Sequence, residues 1–344
     1  LDNPFYSCYN LSINFTQEEK MKKRVMIIDG LNTYLRNYIV NPSLSTNGDP
    51  IGGLKGFLGS LQKLSRELKP DQIIVAWDGP GGSQRRKTVN KNYKEGRKPI
   101  RLNRSVKLLS EEENVKNKIW QQTRLHEYLN EMPVSQILIE GIEADDIIAQ
   151  ICNEMYVGDY EKVIVSSDKD FIQRCDNSTV LYRPIQKKVL NKNTVIDEYK
   201  ISPNWFALAR AITGDKSDNL AGVGGVGLKT IARRFPFFSD PHRASCFYQL
   251  YEHCRENIDG PKVYKTVLEN KDLVESNYKL MQLYTPAISP QNKAKIRSAV
   301  FDLEPEFNKT GVLAMMIQDG FGQTDWSDLF ATFRKIVVDN KSER

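Results

Sequence analysis

The 344 residues are 40% hydrophobic and 10% aromatic, enough for a substantial core in one large or two modest domains. The balance is mildly basic, at net charge +6 and pI near 8.8, and no apolar run reaches the roughly 18–20 residues of a membrane span. Five cysteines without CxxC or framework spacing argue against a disulfide scaffold and, with no visible signal peptide, for a reducing, cytoplasmic setting.

Residues 1–20 read as an extension of unassigned role ahead of "MKKRVMIIDG". Residues 24–29 read as a buried strand, a short β-branched run between "KKR" and Gly30. The next segment, 52–68, reads as a helix opened by Gly52-Gly53 and closed before Pro70, and 72–77 reads as a second strand. Residues 85–107 then hold ten Lys or Arg against one acid, Glu95. A helix is expected over 111–131, because Ser110 stands three residues before Glu113 in a capping-box pattern. A strand at 136–139, a helix at about 143–155 and a strand at 162–166 follow. Alternating strands and helices predict an α/β core over 21–200 with a mostly parallel central sheet and flanking helices. In such sheets reactive groups gather beyond the carboxyl ends of the strands. From 201 to 344 the pattern turns α-rich, with helical segments in "PNWFALARAIT", "VGLKTIARRF" and "PHRASCFYQLYEHC", and at 290–304 and 325–338.

Acidic residues stand where the apolar runs end. Asp29, Asp78, Glu143, Asp145, Asp146, Asp168, Asp170, Asp215 and Asp218 make nine carboxylates at five separated places. Taken singly, each has a plain explanation: acids favour helix N-termini, and Asp is a common cap. Nine can converge only if something cancels their repulsion, and hard divalent cations bound through oxygen do that. Two such ions about 4 Å apart are a standard device for phosphodiester hydrolysis. An acidic centre inside a basic protein suits a polyanionic substrate.

"GVGGVGLKT" at 222–230 contains a literal G-x-G-x-x-G, but a dinucleotide site needs a strand before it, and here a helical segment precedes. A hairpin between helices fits better: Gly222, Gly224, Gly225 and Gly227 let the backbone approach a phosphate, and Lys229 and Thr230 follow. The basic stretch carries Arg85, Arg86, Lys87, Arg101 and Arg104 as candidate phosphate contacts, with Tyr93 among them as a stacking platform for an unpaired base. Its composition predicts self-repulsion without a polyanion. His242, Cys246, His253 and Cys254 have a faint zinc-like look, but the spacing is irregular and free cysteines are commonly core.

The ordered set "IIDG", "WDG" with "RRK…YKEGRK", "GIEADD", "SSDKDF" and "GDKSDNLAGVGGVGLKT" resembles the 5′ nucleases, or flap endonucleases, especially the phage enzymes and the 5′-nuclease domain of bacterial DNA polymerase I. The similarity covers about residues 24–235, with a weaker echo at 278–288. It implies a basic helical arch at about 80–120 and a helix–three-turn–helix DNA-binding motif at 214–235. It implies two Mg²⁺ or Mn²⁺ ions, one on Asp29, Asp78, Glu143 and Asp145, the other on Asp146, Asp168, Asp170, Asp215 and Asp218, with sharing. A monovalent K⁺ at the hairpin is a further candidate. Tyr93, Lys94 and Arg97 match the arch-base motif at the scissile region. Glu95 within that motif, and Leu220-Ala221 where the family often has Ile-Pro, depart from the pattern.

The expected activity is a 5′→3′ exonuclease and flap endonuclease acting on DNA with a 5′ flap or nick, or on an RNA–DNA hybrid. It would work as a monomer beside replication proteins such as a polymerase or single-strand-binding protein. Two other readings stay open: a PIN-like RNase on a similar acidic core, and a non-catalytic junction-binding protein. The glycine-rich hairpin and long basic insertion weigh against the first, and the nine filled acidic positions against the second.

Overall fold

Runs such as Val25–Ile28 and Ile73–Ala76 are apolar at every position because both faces of their sheet are covered. The computed structural model describes residues 22–96, 109–155, 160–302 and 304–342. Arg97, Arg101, Arg104 and the extension at 1–20 lie outside the described residues. Six strands, β1 (Lys23–Asp29), β2 (Gln72–Trp77), β3 (Ser135–Leu138), β4 (Tyr160–Val165), β5 (Thr179–Arg183) and β6 (Lys188–Leu190), form one sheet. Their order is β3-β2-β1-β4-β5-β6, parallel except for β6, which runs antiparallel to β5.

Strand alternation divides the interior into two cores. Val25, Ile27, Ile74, Ala76 and Ile164 enter one; Met26, Ile28, Val75, Trp77 and Val163 enter the other. The second core is closed by helices Gly30–Val40, Gly52–Leu68 and Glu111–Asn130. The first is closed by helix Ala144–Glu154 and by the helices from Pro203–Thr213 to Pro290–Phe301. Helices Lys309–Gln318 and Ser327–Ser342 then return to the second core, where Val312, Leu329 and Phe333 are fully buried. Residues on either side of position 200 therefore share both cores.

The expected helix at 52–68 and strand at 72–77 stand at those bounds, and Ser110 and Glu113 form a reciprocal capping box at the start of Glu111–Asn130. Helix Gly30–Val40, β5, β6 and helix Lys192–Tyr199 were not foreseen from the sequence. Asp29 caps the first of these, accepting from the Asn32 N–H at 3.1 Å, so one acid ends a strand and starts a helix.

Candidate active site

Strand order reverses between β1 and β4, because β2 and β3 build out from one side of β1, and β4 and β5 from the other. Crevices at such switch points, beyond the carboxyl ends of the strands, are the usual ligand sites of open α/β sheets. Asp29 ends β1 and Asp168 follows β4, so the two acids flank this crevice. The Ser166 hydroxyl donates to Asp29 at 2.9 Å and fixes one of its oxygens. Asp78 follows β2, and its carboxylate accepts from the Ala144 N–H at 2.8 Å, tying it to the start of helix Ala144–Glu154. Gly79 makes this approach feasible: a Cβ there would lie 1.8 Å from the Ile139 carbonyl oxygen.

The helix start presents Glu143, Asp145 and Asp146. Arg86 spans two of them, donating to Glu143 and, at 3.0 Å, to Asp146, while its Nε donates to the Leu280 carbonyl at 3.0 Å. The expectation that Arg86 faces DNA is therefore corrected: the side chain turns inward, because two buried carboxylates offer stronger partners than water. Arg85 and Lys87 remain exposed. Lys94 Nζ donates to Glu143 at 2.5 Å. Tyr93 is 3% exposed, packed with Leu220, Leu280 and Met281, and its hydroxyl donates to Asp218 at 3.2 Å. A ring held this way presents no open face for a base, contrary to the stacking role read from the sequence.

On the β4 side, the Asp170 N–H donates to Asp168 at 2.8 Å. Arg210 donates to Asp170 at 3.0 Å and to Asp215. Arg210 was missed in the sequence; its signal was a lone cation inside the apolar helical run "NWFALARAIT". Ser166, the partner of Asp29, was missed as well.

Burial and mutual repulsion dominate the electrostatics. Burial, then Asp78, raises Asp29 to about 7; burial, then Asp168, raises Asp170 to about 7. Asp145 is pushed well up by burial, Asp168 and Asp29, and Asp168 is pushed up by burial, with Asp218 adding to it. Burial also works against charge on Glu143, but Arg86 and Lys94 outweigh it and hold its carboxyl below the usual range. For Asp215, Ser217 and Arg210 outweigh burial in the same way.

Asp29, Asp78, Asp145, Asp168 and Asp218 thus share one field, and all the donors are hard oxygens, which suit a hard divalent cation in kind. Among the described residues, no three His, Cys, Asp or Glu side chains are grouped closely enough to hold one ion. Among the described residues, Arg86 and Lys94 hold Glu143 and Asp146, and Arg210 holds Asp170 and Asp215.

A pH dependence follows. Asp29 and Asp170 bind protons more tightly folded than unfolded, so their contribution to stability is present below about pH 4 and is lost as pH rises through about 7. Glu143 and Asp215, shifted the other way, act only at more acid pH. In EDTA the melting temperature is expected to fall between about pH 5 and about pH 8, and saturating Mg²⁺ to abolish that fall. A flat profile in EDTA would refute this.

The hairpin begins where helix Pro203–Thr213 ends. A bridge between Asp215 and Leu220 closes one turn, and a second turn runs through Gly224 and Gly225 to helix Leu228–Arg234. Its glycines divide by role. Gly222 is packed, since a Cβ there would lie 2.1 Å from the Thr213 carbonyl oxygen, whereas Gly224, Gly225 and Gly227 face open space. Lys229 is exposed and Thr230 half-buried. We expect Gly222→Ala to cost about 1–3 kcal/mol of stability. Gly224→Val should leave the melting temperature unchanged but weaken duplex DNA binding; unchanged affinity would limit that glycine to the turn. The four residues with a zinc-like look do not assemble: His242 and Cys246 are exposed, Cys254 is buried, and His253 packs on Phe235 and Phe237 with its Nε2 3.0 Å from the Arg234 carbonyl.

The family model of the 5′–3′ exonuclease N-terminal resolvase-like domain matches residues 24–200. The 5′–3′ exonuclease of Aquifex aeolicus is 26% identical over 268 residues, 76% of this chain and 82% of that protein. The flap endonuclease Xni of Shewanella woodyi is 28% identical over 282 residues, covering 79% of this chain and 97% of the relative. In fold, the chain is similar to the flap endonuclease of bacteriophage T5, solved as a pseudo-enzyme–product complex with DNA and metal ions. That match has a TM-score of 0.61 and 17% identity, and covers 86% of this chain and 98% of the phage protein. The chain belongs to the 5′–3′ exonuclease family and is a nuclease of the 5′ flap class. No helix among the described residues is long and apolar enough to cross a membrane.

Proposed function

We propose that this chain is a divalent-metal-dependent hydrolase of DNA phosphodiesters near 5′ single/double-strand junctions, leaving a 5′-phosphate and a 3′-hydroxyl. The observation that carries this reading is the band of buried and half-buried carboxylates, Asp29, Glu143, Asp145, Asp146, Asp168 and Asp170, around the β1/β4 switch point, with Lys94 beside it. Asp29, Asp78, Asp145, Asp168 and their neighbours would hold two Mg²⁺ or Mn²⁺ ions, which would supply charge compensation and an activated water there. The K⁺ expected at the hairpin belongs to the same reading.

The chain's own residues do the rest. Ser166 and the Asp170 N–H hold Asp29 and Asp168 in fixed orientations at the crevice. The Lys94 ammonium, kept charged because Glu143 and Asp145 outweigh its burial, offsets charge that develops on the phosphate oxygens, with Arg97 as its partner. Arg85, Lys87, Arg101 and Arg104 hold the single strand through its phosphates, and the open Gly224–Gly227 turn with Lys229 and Thr230 holds the duplex. Comparing cleavage of a DNA 5′ flap with that of single-stranded RNA tests the substrate class. Preference for the flap supports the proposal, and equal or better cutting of the RNA would favour the PIN-like reading.

A further inference from the structure

The base of the basic segment is fastened to the turn at 215–220, on which Asp215 and Asp218 stand. The Lys94 N–H donates to the Asp218 carbonyl at 2.9 Å, and the Asn219 side-chain amide donates to the Asn92 carbonyl at 3.0 Å. Between them the Tyr93 hydroxyl reaches the Asp218 carboxylate, and the Tyr93 ring is buried against Leu220, Leu280 and Met281. The Asn277 amide pins the same region to helix Lys271–Met281, donating to the carbonyls of Ala211 and Ala221. Both Lys94 and Asn219 are left-handed, each with φ 57°.

A lysine in that conformation is strained by its Cβ and persists only where its surroundings impose it. Asparagine adopts it more readily. At Lys94 the conformation matters because Nζ sits 2.5 Å from Glu143. A relaxed backbone would rotate the side chain off the carboxylate band. The imposing surroundings are the three contacts from the 215–220 turn, and that turn leads directly into the Gly222–Gly227 hairpin.

We propose that Asn219 is a positioning residue for Lys94. Its amide locks the basic segment onto the hairpin, so that duplex DNA held at the hairpin and the ammonium at the scissile phosphate stay in register. The proposal rests on the reading that Lys94 acts at that phosphate.

Two substitutions isolate the amide. Asn219→Gly keeps the left-handed backbone and removes the donor; Asn219→Asp keeps the turn preference and sets an acceptor against the Asn92 carbonyl. Single-turnover cleavage and flap affinity are measured for both, for Lys94→Ala, and for the Lys94→Ala/Asn219→Gly double variant. Each Asn219 variant is expected to cut about five- to tenfold more slowly, with flap affinity within about twofold of the parent. In the Lys94→Ala background, Asn219→Gly is expected to cost nothing further, because the group it positions is gone. Parent-like rates for both Asn219 variants, or an undiminished loss in the Lys94→Ala background, would overturn the proposal. A parent-like rate for Lys94→Ala itself would remove the reading beneath it, a distinct outcome that takes the proposal with it.

Discussion

Asp168→Asn is expected to lower single-turnover cleavage on the order of a thousandfold while leaving flap affinity within about threefold. The asparagine is isosteric and can still accept from the Asp170 N–H, so the turn after β4 keeps its shape. What disappears is one negative charge that raises Asp29, Asp145 and Asp170 and is itself raised by Asp218. The remaining acids repel less, so the variant should melt no lower than the parent in EDTA and should gain less stability from Mg²⁺. DNA affinity is expected to survive because the proposed function assigns the phosphate contacts to the hairpin and the basic segment. A near-parental rate would show that the crevice is not where the chemistry occurs.

Lys94→Ala is expected to slow single-turnover cleavage by roughly a hundredfold, with a much smaller loss of affinity. The fold tolerates the change because Glu143 keeps its Arg86 partner and is not left as an unpaired buried charge. The contrast is Lys87→Ala, on an exposed lysine of the same segment. It should weaken binding and lower the salt slope by about 0.7 while leaving the rate at saturating DNA intact. If Lys94→Ala behaved like Lys87→Ala, the segment would be an electrostatic collar without a part in cleavage.

Much of this was legible in the chain because the signals are local. "RVMIIDG" and "IIVAWDG" are short apolar runs ended by an acid, and in a parallel sheet that places the acid at the carboxyl edge. The capping box at Ser110 is equally local. What escaped notice depends on distant partners or on very short elements. β5 and β6 have five and three residues, too few for a period to emerge. Arg86 looks like one member of a surface charge run, yet its partners lie 57 and 60 residues away and draw it inward. Tyr93 looks like a stacking platform, but the pocket that buries it comes from Leu220, Leu280 and Met281. Composition announced a helix at the end of the chain without saying that it crosses back beside Gly52–Leu68.

The acidic crevice between β1 and β4 is proposed to hydrolyse DNA with the aid of divalent cations. The most direct test is cleavage of a 5′-labelled DNA flap by the unaltered protein in Mg²⁺ and in excess EDTA. Labelled product in Mg²⁺ and none in EDTA is the expected result. Undiminished cleavage in EDTA, or flap binding in Mg²⁺ without any turnover, would contradict it.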